Sequence, residues 1–228
     1  MQARLERTLA ERAYAMIHNA IATGALAPGD RLRIEELADL LDMSMTPIRE
    51  ALHRLEEVGL AEHTPHRGAR VTQLSGGDLA ELYEARLALE PLAVERAAAH
   101  FRPEAVTSAL ACLDREAAAL GAGDIGEAWR AHTDFHFTLY RESGSAWLMR
   151  LIEPLWQSSQ RYRLRLKPLS LDLPRREGEH RSILEACSRH QPERARVEMW
   201  NHLVRTANQI SEHMGAVPLY DLEGATGA

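Results

Sequence analysis

The sequence has few aromatic residues, almost no cysteine and no surplus of positive charge. Aromatic residues make up 5% of the 228 positions while Ala, Leu, Arg and Glu dominate, a balance that favours helices. Only Cys112 and Cys187 are present. Both fall in apolar helical settings, so buried free thiols in a reducing compartment are expected rather than a disulfide framework. No apolar run approaches the length of a membrane span. The N-terminal stretch MQARLERTLAERAYAMIHNAI is Arg-bearing and amphipathic, but Glu6 and Glu11 argue against a transit peptide and there is no apolar signal core. A cytoplasmic protein without membrane association is expected. Net charge is −6, and residues 1–75 hold nine Arg against eleven Asp or Glu, about −2. Bulk charge therefore does not advertise nucleic-acid binding, and any basic patch must be local. The remaining composition, 45% hydrophobic and 26% charged, is that of a globular chain with room for one large domain or two small ones.

The first 75 residues carry an ordered series of helix signals. Leu5, Leu9, Ala13, Ile17 and Ile21 form an i+4 stripe, which predicts a first helix. Gly24 stops it, and Pro28-Gly29-Asp30 makes a tight turn. Ile34, Leu37, Ala38 and Leu41 share one face of a second short helix. Asp42 tolerates the left-handed backbone that the following turn can need. In SMTPIREALHRLEEVGL, residues 44–60, Ile48, Leu52 and Leu55 form an apolar face. Ser44 or Thr46 can cap this third helix, and Pro47 sits in the first turn, where a missing N–H costs nothing. Gly59 ends it. Residues 60–73 predict two short strands around a tip at His66-Arg67-Gly68.

Helix, helix, turn, helix and hairpin is the order of a winged helix-turn-helix. In that arrangement the third helix enters the major groove N-terminus first. Arg49 suits a bidentate contact with guanine or phosphate, and Arg67 suits a minor groove or phosphate. The plainer alternative for Arg49 is a pair with a nearby acid on a solvated helix. The candidate DNA-contacting set is Arg33, Ser44, Thr46, Pro47, Arg49, His66, Arg67 and Gly68.

Ser75-Gly76-Gly77-Asp78 supplies a flexible step and a capping box, and the domain boundary is placed there: residues 1–74, then 75–216, then a loose tail at 217–228. Everything after the boundary reads as helices, over residues 78–100, 103–121, 124–143, 145–167, 173–189 and 192–214. Pro91 and Pro154 mark expected kinks. His132 and His136 are spaced i, i+4 and so share one face of one helix. His180 and His202 lie on the last two helices. Four imidazoles placed this way can build a metal site inside a bundle, or they can be ordinary polar residues of its core.

Residues 23–71, TGALAPGDRLRIEELADLLDMSMTPIREALHRLEEVGLAEHTPHRGARV, resemble the DNA-binding domain of the GntR family of bacterial transcription regulators. Met45 departs from the Arg common at that place, and Asp42 from the Gly. Residues 78–214 are similar to the helical FCD effector domain of the FadR branch, through LYEARLALEPLAVERAA, FHFTLYRESGS and EHRSILEA. The resemblance implies an all-helical effector and dimerisation domain behind a winged helix-turn-helix, a homodimer, and a palindromic operator. It further implies a divalent metal held by Asp-x-x-x-His and two later histidines, and a small organic acid whose carboxylate meets the metal and an Arg. Carried over, the histidines are His136, His180 and His202. The Asp position falls on His132, with Asp134 two residues from His136 on a different face. Four histidines would favour zinc or nickel. Ser145 departs from the Asn usual after the Ser-Gly step.

Arg86 matches the effector-binding Arg, with an ion pair to Glu90 as its alternative. Arg161, Arg163 and Arg165 are further candidates. The function expected is a ligand-responsive DNA-binding regulator rather than an enzyme. A metal-sensing regulator is the second reading, and a metal-dependent enzyme the third.

Overall fold

The computed structural model describes residues 8–64, 68–163 and 173–221, and among these the helix-favouring composition yields nine helices and three short strands. Thr8 and Glu11 start the first helix reciprocally. The Thr8 hydroxyl accepts from the Glu11 N–H at 3.2 Å, and the Glu11 carboxylate accepts from the Thr8 N–H at 2.9 Å. This helix, α1 (Leu9–Ala22), buries Ala13, Ile17 and Ile21. Leu9, part of the expected stripe, is 53% exposed, and Leu5 lies outside the described residues.

A two-residue strand, β1 (Arg31–Leu32), precedes α2 (Ile34–Leu41), and Asp42 then takes the left-handed conformation at φ 51°. Helix α3 (Met45–Glu57) follows. Ser44 occupies its N-cap position, but its side chain makes no capping hydrogen bond. Pro47, Ile48, Ala51, Leu52 and Leu55 are buried. Strand β2 (Ala61–Thr64) pairs antiparallel with β3 (Gly68–Val71), Ala61 lying opposite Val71 and Thr64 opposite Gly68. On the other side of β3, Arg31 pairs with Arg70, giving the order β1-β3-β2. The third strand was not expected, because two residues are too few to show alternation. Ile17, Leu32, Ile48, Leu52, Leu55 and Val71 belong to one core beneath these elements.

The later helices are α4 (Gly76–Ala98), α5 (Pro103–Gly121), α6 (Ile125–Arg141), α7 (Ala146–Arg163), α8 (Leu173–Ser188) and α9 (Pro192–His213). Pro91 and Pro154 lie inside α4 and α7. Helix α5 packs along α6, α8 along α9, and α5 against α8.

The chain divides into two compact units, Met1–Asp78 with Pro154–Arg165, and Leu79–Glu153 with Leu166–Ala228. The first therefore includes a segment that the boundary at Ser75 assigns to the second. Polar contacts within that unit give the reason. Tyr14 donates to Gln157 at 2.9 Å, Ser158 donates to the Val58 carbonyl, and Arg161 donates to the Gly59 carbonyl and to Asp78. Tyr162 donates to the Ser75 carbonyl at 3.1 Å and also to Asp78. The Asp78 N–H donates to the Ser75 hydroxyl at 3.1 Å. The capping half of the expected box thus forms, while the Asp78 carboxylate turns to Arg161 and Tyr162.

In the second unit, Leu219 and Tyr220, within the stretch expected to be loose, are tied down. The Asn208 side-chain oxygen accepts from the N–H groups of Leu219 and Tyr220 at 2.8 and 3.0 Å, and its amide donates to the Tyr220 carbonyl at 2.8 Å. One buried amide satisfies three backbone groups, which residue type alone does not reveal.

Candidate functional sites: a groove beside helix α3 and a histidine cluster

In the first unit, α3 presents Ser44, Met45, Thr46, Arg49 and Glu50 to solvent around its N-terminal turn. Pro47, counted among the DNA-contacting candidates, is buried in that turn and packs rather than faces outward. Its ring is apolar and its fixed φ suits a first helical turn, so the core takes it. A groove of about 440 Å³ runs between α3 and the strands, with Arg33, Arg49, His53, Glu56, His63 and Gly68 among its lining. Arg33, Arg49 and Gly68, widely separated in sequence, are thereby brought together. Arg33, at the N-cap position of α2, is bound to Glu36 in that helix. His53 and His63 were not singled out from the sequence, since neither belongs to a spaced motif. Each lies 3.7 Å from an acid, Glu57 and Glu56 respectively. His66 and Arg67 lie outside the described residues.

In the second unit, the i, i+4 spacing on α6 puts His132 and His136 on one buried face, and α8 and α9 bring His180 and His202 to meet them. All four are at most 2% exposed, and one ligand atom from each lies within 4.8 Å of the others. Asp134 is 52% exposed and paired with Arg115 at 3.1 Å, so the fourth member of the cluster is His132.

The second layer fixes which ring nitrogen faces inward. The Tyr140 hydroxyl donates to Glu90 at 2.5 Å and lies 3.1 Å from His136 Nδ1. Having given its proton to a carboxylate, the tyrosine oxygen can only accept from Nδ1–H, which leaves a lone pair on His136 Nε2. His202 Nδ1 lies 2.9 Å from Glu179. A carboxylate can only accept, so Nδ1 carries a proton, and in the neutral ring Nε2 carries the lone pair. His180 Nδ1 lies 3.8 Å from Glu116, with the same bias. Each carboxylate is held in turn by a guanidinium: Glu90 by Arg86, Glu116 by Arg176 at 2.6 Å, and Glu179 by Arg205 at 3.3 Å. Backing ligand imidazoles with anchored carboxylates orients them and raises their basicity.

Sequence reasoning missed this layer. Tyr140 sits one turn beyond His136, and Glu179 immediately precedes His180, so spacing could have flagged both. Nothing in the sequence marks Glu116.

Arg86, the expected effector contact, is fully buried. Its Nε and Nη2 donate to Glu90 at 2.5 and 3.1 Å. Burial by itself would lower the guanidinium pKa. The charge of Glu90, its hydrogen bond, and Tyr83 and Tyr140 outweigh that and hold it above the ordinary arginine value. Arg161 and Arg163 belong to the first unit and the histidines to the second, and Arg165 lies outside the described residues.

Comparison with known proteins connects both sites to one family. Residues 9–71 match the pattern described as bacterial regulatory proteins, gntR family, and residues 81–205 match the FCD domain. The chain is 33% identical over 219 residues to the probable D-xylose utilization operon transcriptional repressor of Paenarthrobacter nicotinovorans, covering 94% of each. It is 28% identical over 237 residues to the Uxu operon transcriptional regulator of Escherichia coli strain K12, covering 93% of this chain and 92% of that one. The solved structure of E. coli McbR/YncC shares the fold, with a TM-score of 0.78 and 24% identity over 91% of this chain and 99% of that one. Among the described residues no helix is long and apolar enough to cross a membrane. With both domain matches in this order and a relative aligned along nearly its whole length, the chain belongs to the GntR family of bacterial transcription regulators, as a DNA-binding regulator with an FCD effector domain and not an enzyme.

Proposed function

We propose that this regulator is a cytoplasmic homodimer that binds a palindromic operator and responds to a small organic acid at a metal-loaded effector domain. On this reading Arg33, Ser44, Thr46, Arg49 and the wing residues His66, Arg67 and Gly68 meet DNA, with residues 1–74 as the DNA-binding domain and 75–216 as the effector domain. His132, His136, His180 and His202 hold one divalent ion, zinc or nickel.

One observation carries the metal: His136 Nε2 and His180 Nε2 stand 3.3 Å apart. The hydrogen bonding behind His136 leaves a lone pair on its Nε2, and Glu116 biases His180 the same way. A cation bound by both lone pairs satisfies that contact, as does a proton shared in an N–H···N hydrogen bond. Four neutral imidazoles also suit a borderline-soft ion that accepts nitrogen ligands. When bound, the ion supplies a positive centre for an anion. The chain's residues supply its orientation, through Tyr140–Glu90–Arg86 behind His136 and Glu179–Arg205 behind His202. The bidentate pair with Glu90 favours the second reading of Arg86, a positioning residue.

Elemental analysis tests the centre. Protein purified without chelator should carry about one ion per chain, as four ligands complete one tetrahedral shell, and His136→Ala with His202→Ala should abolish it. A chain that stays metal-free after incubation with zinc and with nickel removes the site.

A further inference from the structure

The fully buried Arg86 leaves open which cation meets an acid that reaches the cluster. A cavity of about 50 Å³ lies between α5 and α8, with Leu113, Glu116, Leu120, Arg176, Glu177 and His180 in its wall. About 10–15 Å³ of such volume admits one water, so the cavity takes a few waters or one carboxylate group. Arg176 Nη2 donates to Glu116 Oε1 at 2.6 Å. Its guanidinium also lies over Trp129, 5.9 Å from the ring centroid. Trp129 meets His132 edge to face at 5.4 Å, and Glu116 Oε2 is 3.8 Å from His180 Nδ1. Arg176 is therefore one residue removed from two of the four histidines, and its side chain is 15% exposed.

We propose that Arg176 is the side chain that recognises the carboxylate of an anionic effector. It takes that carboxylate in place of Glu116 in the cavity between α5 and α8, and Glu116 turns to His180. The second half of this exchange rests on reading the histidines as a metal centre; the first does not.

The exchange leaves no buried charge stranded. Arg176 trades one carboxylate for another, which its planar fork can hold bidentately. Glu116 has His180 Nδ1–H within a small rotation. Arg86 is less open to such an exchange, because it and Glu90 are both fully buried whereas the Arg176 side chain is 15% exposed. A closer Glu116 makes His180 a stronger ligand, so anion and ion strengthen each other's binding, as linkage requires.

The test uses the full chain with and without zinc, and acetate as the probe, read by calorimetric titration and by melting temperature. Arg176→Gln should weaken acetate binding by about tenfold or more, the value of a charge-assisted contact. Glu116→Gln removes the competing charge and should tighten it several-fold. Arg181→Gln, an exposed pair partner of Glu177 on the same helix, should match the parent. Acetate binding by Arg176→Gln equal to the parent's in both arms overturns the assignment, as does a parent that takes no acetate in either. Should the parent take no zinc, the metal reading fails, and the zinc-free arm alone decides on Arg176. If Arg176→Gln melts far below the parent before acetate is added, Glu116→Gln decides: tighter binding supports the exchange, and unchanged or weaker binding refutes it.

Discussion

Replacing Glu90 by Gln leaves the Arg86 guanidinium in the core without an anion. Both side chains are 0% exposed, and the pair is bidentate. Arg86 cannot escape by losing its proton, since its pKa lies above an already high ordinary value. Breaking a buried pair from one side costs about 3–5 kcal/mol. At about 2–4 °C per kcal/mol for a chain of this size, melting should fall by about 6–20 °C. Arg86→Met strands the fully buried Glu90 carboxylate instead and should destabilise the fold by a similar amount. Arg86→Met combined with Glu90→Leu removes both charges at similar volume and should recover most of the loss. Thermal melts followed by circular dichroism, with chelator present, keep metal linkage out of the comparison. A Glu90→Gln variant melting within about 2 °C of the parent, at most about 1 kcal/mol on this scale, would refute the reasoning. So would a double variant no better than the worse single one.

Three further outcomes are expected. Arg49→Ala should weaken specific operator binding by about 1–3 kcal/mol in a gel shift at fixed salt, and parental affinity would mean that α3 does not read the groove as placed. Metal affinity should fall as pH drops, because each imidazole must be deprotonated to bind; a flat profile in chelator competition would argue against four histidine ligands. Burial pushes the Cys187 thiol up to about 12 and raises Cys112 as well, so both free thiols should react slowly with a thiol reagent at neutral pH and promptly in guanidinium, whereas fast labelling of the native chain would contradict their burial.

The sequence made local order legible and left cross-chain pairing hidden. The Thr8–Glu11 cap, the left-handed Asp42 and the apolar face Ile48–Leu52–Leu55 are short-range features, and each shows in residue type or spacing. The four histidines were legible because two share a helical face and the others sit in recognisable words. Strand β1 was missed because two residues carry no period. The docking of Ser158, Arg161 and Tyr162 onto residues 58–78 spans about a hundred positions, and no local pattern encodes it. Glu116 was invisible for the same reason: an acid on an Ala-rich helix looks solvated until α8 is laid against it. Arg86 reversed the other way, its one-turn partner Glu90 being plain in the sequence while its complete burial was not.

The charge arrangement around the cluster follows from His132. A carboxylate at that position would cancel one charge of a divalent ion within its own ligand shell. Four imidazoles cancel none, so the ion would keep its double charge in a buried place, where charge interacts strongly. The three carboxylates behind the histidines do not compensate it, because Glu90, Glu116 and Glu179 each already hold a guanidinium. Two of these pairs are closed to exchange, Glu90 by full burial and Glu179 by its hydrogen bond to His202. The third, Glu116 with Arg176, borders a cavity. A site whose inner shell is neutral and whose outer ion pairs are already balanced leaves the ion's charge uncancelled, and of these three pairs Glu116 with Arg176 is the one that lines a cavity where an anion could enter.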